Sequence, residues 1–379
     1  MPDAIEDLKS LLRELIGRKD EARAVSQRYF RTAYPRDERG TPADFQPYAV
    51  LHMRSLAGDN GRRPISSDLL YWLSPDLLIR PLSGAPGPVT VVAGERYEAE
   101  VILRNLGDMP VPSAKIELFL ADPTLGFDTR FARPLGIVDA WVPGVGVATA
   151  RLPFAVSGSE AGHKCLFARA FSFSPPDLPL LATALDPTLD RRVAQRNLTI
   201  LPASGAVLEF DLVHAPNMAG FLQLRPATAR ELVATGHPLL LAAQVLDGVE
   251  PLAQALRGAR FGSLRPGSEQ LDIAGDGQRQ RLISRGEGPS AEAEGEVRRA
   301  ALAALFRPEG GREAARERAK LAAGMSELAQ RRVQSRLVIE IPPLPLPAGA
   351  VAGLHLHASH DDGTSIGGLT LAFANLDKA

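Results

Sequence analysis

Apolar positions in this chain alternate over short stretches more often than they recur at helical spacing. In residues 98–104, Ala99, Val101 and Leu103 fall on one face, while Glu98, Glu100 and Arg104 fall on the other. Ile116, Leu118 and Leu120 alternate in the same way with Lys115, Glu117 and Phe119. A period of two means a strand with one buried and one wet face. Ile102 breaks the alternation, which predicts an outer face that is partly covered. Asn105-Leu106-Gly107-Asp108 supplies the turn between the two runs, with Gly107 free to take a positive φ. Pro110 and Pro112 cannot donate to a central ladder and suit an edge or a loop. Further strand-like runs cover 163–173 and 193–201, and 76–80 reads as the first strand, with Tyr71 and Trp72 sealing the junction before it. Short strands at this spacing predict an antiparallel β-sandwich of immunoglobulin-like layout over residues 76–202.

The flanks differ. Over residues 4–33 the pattern is helical: Ile5, Leu8, Leu11, Leu12, Leu15 and Ile16 form an apolar stripe, Asp3 can cap it and Gly17 can break it. Residues 34–66 are punctuated by Pro and Gly and read as irregular, so 1–75 is taken as one helical and irregular segment. A long connection is expected from 124 to 151, pinned by Phe127, Phe131 and Trp141. After a hinge at 202–205, a second β-rich domain is expected over 203–379. Its apolar runs lie at 207–213, 221–224, 239–242, 337–341, 351–358 and 368–373, with 360–363 as the turn of a final hairpin. An unlike insert spans about 248–336. Residues 275–295 are polar and glycine-rich and are expected to be mobile. From 296 to 336 the pattern is helical, with Leu321, Met325, Leu328 and Val333 inward. The fold class predicted is mainly β: two β-sandwich domains, the first Ig-like, with an N-terminal helical segment and a helical insert in the second.

The run Glu98-Ala99-Glu100-Val101-Ile102-Leu103-Arg104-Asn105, followed by Leu106 to Leu120, resembles the Ig-like bacterial β-sandwiches typified by the CARDB group. The likeness covers about residues 76–201. It lies in an asparagine–glycine turn before an alternating strand that ends in Leu-Phe, and the two prolines and the bulky stretch 122–146 depart from it. The resemblance implies binding or spacing rather than catalysis, although a fold alone does not fix a function.

Composition narrows the field only a little. The chain has 379 residues, 45% hydrophobic and 23% charged, with a formal net charge of −1. That balance gives no global electrostatic reason to bind nucleic acid or an anionic surface. The single cysteine, Cys165, cannot form an internal disulfide and lies in a strand-like run, where it reads as a buried thiol. Residues 1–16 are charged throughout and lack the apolar core of an export signal, so a cytoplasmic location is expected. Acids outnumber bases over 4–16, so a membrane partner is not.

Candidate chemistry is sparse. His355, His357 and His360 are three of seven histidines, and on a strand His355 and His357 share a face, so with His360 or Asp361 they compose the one metal-ligand pattern available. The alternative is a polar outer face on a terminal hairpin. Asp186 and Asp190 fit turn chemistry better than a calcium site. No Ser-His-Asp signature, phosphate loop or dinucleotide fingerprint is present. The pattern therefore predicts a non-enzymatic binding or scaffold protein without cofactor. Its partners would be proteins, self-association included, with Tyr71, Trp72, Phe127, Phe131 and Trp141 as candidate contacts. The rivals are a metal-dependent hydrolase using the C-terminal histidines and a nucleic-acid-associated protein using the basic insert.

Overall fold

The computed structural model describes residues 49–375 apart from 67–68, 83–89, 92–94, 158–161, 180, 182, 248–258, 264–269, 277, 291, 294, 298, 301–319 and 321–322. The expected N-terminal helices lie outside the described residues. In the first half the strands are β1 (Leu51–His52), β2 (Leu77–Pro81), β3 (Thr90–Val91), β4 (Arg96–Asn105), β5 (Val111–Ala121), β6 (Thr124–Leu125), β7 (Arg133–Val142), β8 (Gly146–Ala155), β9 (Gly162–His163), β10 (Cys165–Phe173), β11 (Pro176–Asp177) and β12 (Val193–Arg196). In the second half β13 (Leu198–Pro202), β14 (Ala206–His214) and β15 (Met218–Pro226) precede the short helices α1 (Ala229–Val233) and α2 (Pro238–Ala242). Then come β16 (Gln244–Val245), β17 (Arg260–Ser263), β18 (Gln270–Asp276), β19 (Arg279–Arg285), β20 (Val333–Ile341), β21 (Ala350–His360) and β22 (Ser365–Ala374).

The molecule is mainly β, as the alternation predicts. Sheet β1-β4-β2, with β8 on the other side of β4, faces sheet β11-β10-β5-β7, with β12 beside β10. Ala99, Val101 and Leu103 of β4 meet Ile116, Leu118 and Leu120 of β5 in the core between them. Glu100, on the outer face of β4, is nonetheless buried, held by Arg80 at 3.1 Å and Arg151 at 3.0 Å. Phe119 turns the other way and is covered as well, by Phe127, whose ring stacks on Phe167. Asn105 organises the turn: its Oδ1 accepts from Val50 and Gly107 at 3.0 Å, and its amide donates to Met109 at 2.6 Å.

The second core lies between the sheet β13-β22-β21-β15-β19-β18 and the sheet β17-β20-β14-β6, and is filled by Phe210, Leu222, Leu337, Ile339, Leu369 and Phe373 among others. A third apolar cluster joins Tyr71, Trp72 and Leu73 to Leu198, Leu232, Leu240 and Val351.

Several stretches sit otherwise than the sequence pattern placed them. The expected connection 124–151 contains β6, β7 and part of β8; Pro134 and Gly136 hide β7, which as an edge strand tolerates a missing donor. Trp141 does not pin a connection, because it lies on the solvent face of β7. The run 193–201 serves two sheets: β12 pairs with β10, and β13 runs parallel to β22. β1 supplies a strand to the first sandwich from within the segment read as irregular. Residues 239–242 are helical, because Pro238 starts α2 and His237 Nδ1 accepts from Leu239 at its N-terminus. The stretch expected to be mobile contains Gly275 and the strand β19, whose Gln280, Leu282 and Ser284 are buried; its alternation is carried by polar side chains that hydropathy does not register. Val333 opens β20 rather than closing a helix; in the described part of the expected helical insert, 296–297, 299–300, 320 and 323–330 are helical, as expected.

Gly367 and Gly368 bring the halves together. A Cβ on Gly368 would fall inside the Trp72 indole, and one on Gly367 would overlap the backbone at Leu125 and Gly126. Gly368→Ala should therefore lower the melting temperature by the equivalent of about 3 kcal/mol, an overpacking cost at its upper range. An unchanged melting temperature would show that the contact does not hold the halves.

Candidate functional site

The histidines are placed by β21, where His355 and His357 share a face as period two requires. That face is not solvent. Trp72 covers it, stacked on His357 at 5.7 Å and edge-on to His355 at 6.1 Å. The Trp72 indole donates to Thr370 Oγ1 at 2.9 Å, Thr370 bonds His355 Nδ1 at 2.8 Å, and His355 Nε2 meets Glu231 at 3.2 Å. This chain is satisfied throughout if Thr370 donates to Nδ1 and Nε2 carries the proton. Glu231 is anchored in turn by Arg225 at 2.9 Å and by the capping box with Thr228. His357 bonds Ser365 at 2.8 Å. His360 lies elsewhere, lining a cavity of about 80 Å³ between the halves together with Asp186 and His214. Among the described residues no group of three metal-ligating side chains forms. The polar outer face expected for the terminal hairpin is thus an interior hydrogen-bonded chain, hidden from the sequence because its cover comes from Trp72, far away along the chain. The turn at 360–363 forms as expected, with Gly363 at φ 79° and Asp362 Oδ1 accepting from Thr364 at 2.9 Å. Asp186 and Asp190 likewise serve turns, accepting from Thr188 at 2.8 Å and Arg192 at 2.9 Å.

Cys165 is buried beside Asn197, and burial pushes its thiol well above the ordinary range, which disfavours the thiolate. In the basic stretch, Arg281 and Arg331 pair with Asp361 and Glu327. Arg336 is bound by Asp211 and Asp122 at 2.7 and 2.9 Å and its charge is reinforced.

Of the five candidate contact residues, Tyr71, Trp72 and Phe127 are interior. Phe131 is half-buried, with the Arg130 guanidinium over its ring. Trp141 is 62% exposed. The structure adds neighbours that the sequence did not single out. Val145 and Val147 are 71% and 55% exposed, and Leu106 is 42% exposed. Register places them together: Val145 N–H donates to Gly107 at 2.9 Å, Gly146 lies opposite Asn105, and Val142 opposite Val111. One end of the first sandwich thus carries an apolar tip. Its turn is built with effort. Gly144 is required because a Cβ would overlap Asp108, and Gly146 because a Cβ would overlap Pro143. Val145 between them holds φ at 46°, a left-handed conformation that strains a β-branched residue. The strained position keeps an apolar side chain where glycine would be easier, and such strain gathers at functional sites.

No family model matches the chain, and no curated protein does. Among solved structures it is similar to the CARDB domain of a Pyrococcus furiosus protein in complex with di-metal ions, at 11% identity, 42% of this chain, 96% of that chain and a TM-score of 0.23. This is the group that the strand pattern resembles. It is also similar to a bacterial adhesin from Mobiluncus mulieris (9% identity, 57% of this chain, 94% of that one, TM-score 0.20). A β-glucosidase from Listeria innocua matches 32% of this chain over 15% of its own, at 13% identity and a TM-score of 0.17. With TM-scores this low, none of the three speaks to what this chain binds.

Two outcomes follow from the interior chain of bonds. Replacing both His355 and His357 with Gln should cost about 2 kcal/mol, because a buried partner is lost, and added zinc should leave the melting temperature of the native protein unchanged. A zinc-dependent rise that the double variant loses would instead establish a metal site. Secondly, burial lowers the pKa of His214, His237 and His355, that of His237 to about 4. Each then binds protons more readily unfolded, so its contribution is complete above about 6.5, the ordinary histidine value, and is lost as pH falls towards 4. Thermal melts should show stability declining across that window, with a shallower slope in His237→Gln; a flat profile contradicts the assignment.

Proposed function

We propose that this chain works by binding, as a scaffold or assembly component whose contact surface for a protein partner is the apolar tip of the first sandwich. The observation that carries this reading is the exposed Trp141 near the end of β7, which leads into a turn whose backbone is strained to present the exposed Val145. An indole this exposed is uncommon on a soluble surface, and tryptophan is the residue most concentrated in the energetic centres of interfaces. Supporting it, His355 and His357 are occupied by internal bonds and the thiol is buried.

The test separates contact from stability. Trp141 is largely exposed, so the melting temperature of Trp141→Ser should stay within the equivalent of about 0.5 kcal/mol, as for surface substitutions. The proteins it retains in an affinity capture should fall at least tenfold below those retained by the unsubstituted chain. Val145→Gly should raise the melting temperature by the equivalent of about 1 kcal/mol through relief of strain, while also weakening capture. Equal retention by all three chains would remove the tip from the function.

A further inference from the structure

We propose that the cavity between the two sandwiches is a binding site for a free amino acid with a small aliphatic side chain. Its lining shares no residue with β7 or β8, so the site goes beyond the contact surface and stands apart from it. Three observations carry it.

The first is the construction of the walls. The cavity measures about 80 Å³, several times what one ordered water needs and about half of the roughly 150 Å³ that takes up a benzene ring. Phe127 and Leu185 enter it from the first half, Ile366 and Met325 from the second. Ligand sites favour such junctions, with apolar walls and a few polar groups. Met325 belongs to the helical stretch 323–330, which forms one wall. Arg130 of the first half fastens the end of that stretch, donating to the carbonyls of Ala329 and Arg332 at 2.9 and 3.3 Å. These are carbonyls that a helix end leaves without internal donors.

The second is a buried acceptor without a donor. Gln195 is 3% exposed and lines the cavity. Its amide donates to the Gly368 carbonyl at a long 3.5 Å, and its Oε1 receives no hydrogen bond among the described residues. Leaving such an acceptor unmet is costly. Its neighbours are committed to each other: the Tyr71 hydroxyl bonds Ser365, and both ring nitrogens of His214 are bonded, to Ala215 and Ser335.

The third is a pair of unlike charges that do not meet. Asp186 and Arg332 are both half-buried and both line the cavity. Asp186 Oδ1 accepts from the Thr188 N–H and hydroxyl at 2.8 and 2.6 Å. Among the described residues no cation pairs with its carboxylate, and the Arg332 guanidinium makes neither a hydrogen bond nor an ion pair. Burial, and after it the Asp186 charge, raise the pKa of the Tyr71 phenol, so the field of that carboxylate reaches the inner wall.

A molecule that answers all three carries an ammonium, a carboxylate and a short apolar body. The ammonium, a donor only, serves Asp186 Oδ2 and Gln195 Oε1. The carboxylate takes the planar guanidinium of Arg332. The side chain packs among Phe127, Leu185, Met325 and Ile366, where the volume suits valine better than a phenyl or indole ring. Because the walls come from both halves, the bound molecule stabilises their junction.

The test uses the full-length protein with L-valine and two fragments of it: isobutylamine, which lacks the carboxylate, and isovalerate, which lacks the ammonium. Equilibrium dialysis should retain L-valine, and the melting temperature should rise with it. Isobutylamine should bind about tenfold more weakly, the loss of one charge-assisted bond, and isovalerate more weakly still, because it meets Asp186 without an ammonium. Arg332→Gln should weaken L-valine about tenfold and leave isobutylamine unchanged. Asp186→Asn keeps the Oδ1 acceptor for Thr188 and should weaken both. If it lowers the melting temperature, Ala329→Leu is read in its place, since it adds atoms to the cavity and should abolish binding. Absence of L-valine binding up to its solubility limit overturns the proposal. Equal binding of L-valine and isovalerate overturns it too, leaving an apolar cavity without recognition of charge. So does an L-valine affinity that these substitutions leave unchanged, which places the molecule elsewhere.

Discussion

The Trp72 indole lying flat against the bare backbone of Gly368 is the contact on which the arrangement of this molecule depends. Neither residue has room for an alternative. The ring stacks on His357, meets His355 edge-on and donates its one N–H to Thr370, so it is held from three sides on the outer face of the large sheet. Around it the apolar side chains of Tyr71, Leu73, Leu198 and Leu232 exclude water. The dry surroundings raise the worth of each polar bond inside and the cost of leaving one unmade.

Buried polar groups at this seam are matched with few exceptions. Arg196 is nearly enclosed, and burial lowers its pKa to about 10, yet its guanidinium donates to the carbonyls of Ser74 and Thr235 at 3.1 and 2.8 Å. Asn197 donates to Thr124 and Gly368 at 2.6 and 2.9 Å. These two neighbours stand where the chain leaves one sandwich and enters the other, and their bonds fix both the position and the direction of the crossing. Apolar packing gives the seam its strength, while directional bonds give it a single geometry.

How much of this the sequence disclosed follows from the range of the forces involved. Ala99, Val101, Leu103, Ile116 and Leu118 announce their strands because burial of a single face imposes a period of two that any reader can see. The final hairpin is equally plain, since its turn chemistry is local to residues 360–363. The strand β7 was missed because Pro134 and Gly136 break the local pattern, and an edge position makes both tolerable. The hairpin β18–β19 was missed because its inward positions include the polar Gln280 and Ser284, the latter donating to the Pro216 carbonyl far back in the chain. For the proposed contact surface, Trp141 is legible as an aromatic worth noticing. Val145 and Val147 are not, because exposure is a property of the assembled turn, and nothing in Pro-Gly-Val-Gly says that valine occupies the left-handed position.

The strand exchanges have a consequence for how such a protein can change over time. β6 leaves the first sandwich to run beside β14, and β13 follows directly on β12 to run beside β22. The first half therefore supplies a strand to the hydrogen-bonded ladder of the second. Modular proteins diversify by copying a domain, swapping it or threading it into a new neighbour like a bead on a string. Here a cut at the seam would strip β6 from the sheet that holds β14, β17 and β20. The second half could be copied elsewhere with its ladders intact only if β6 travelled with it.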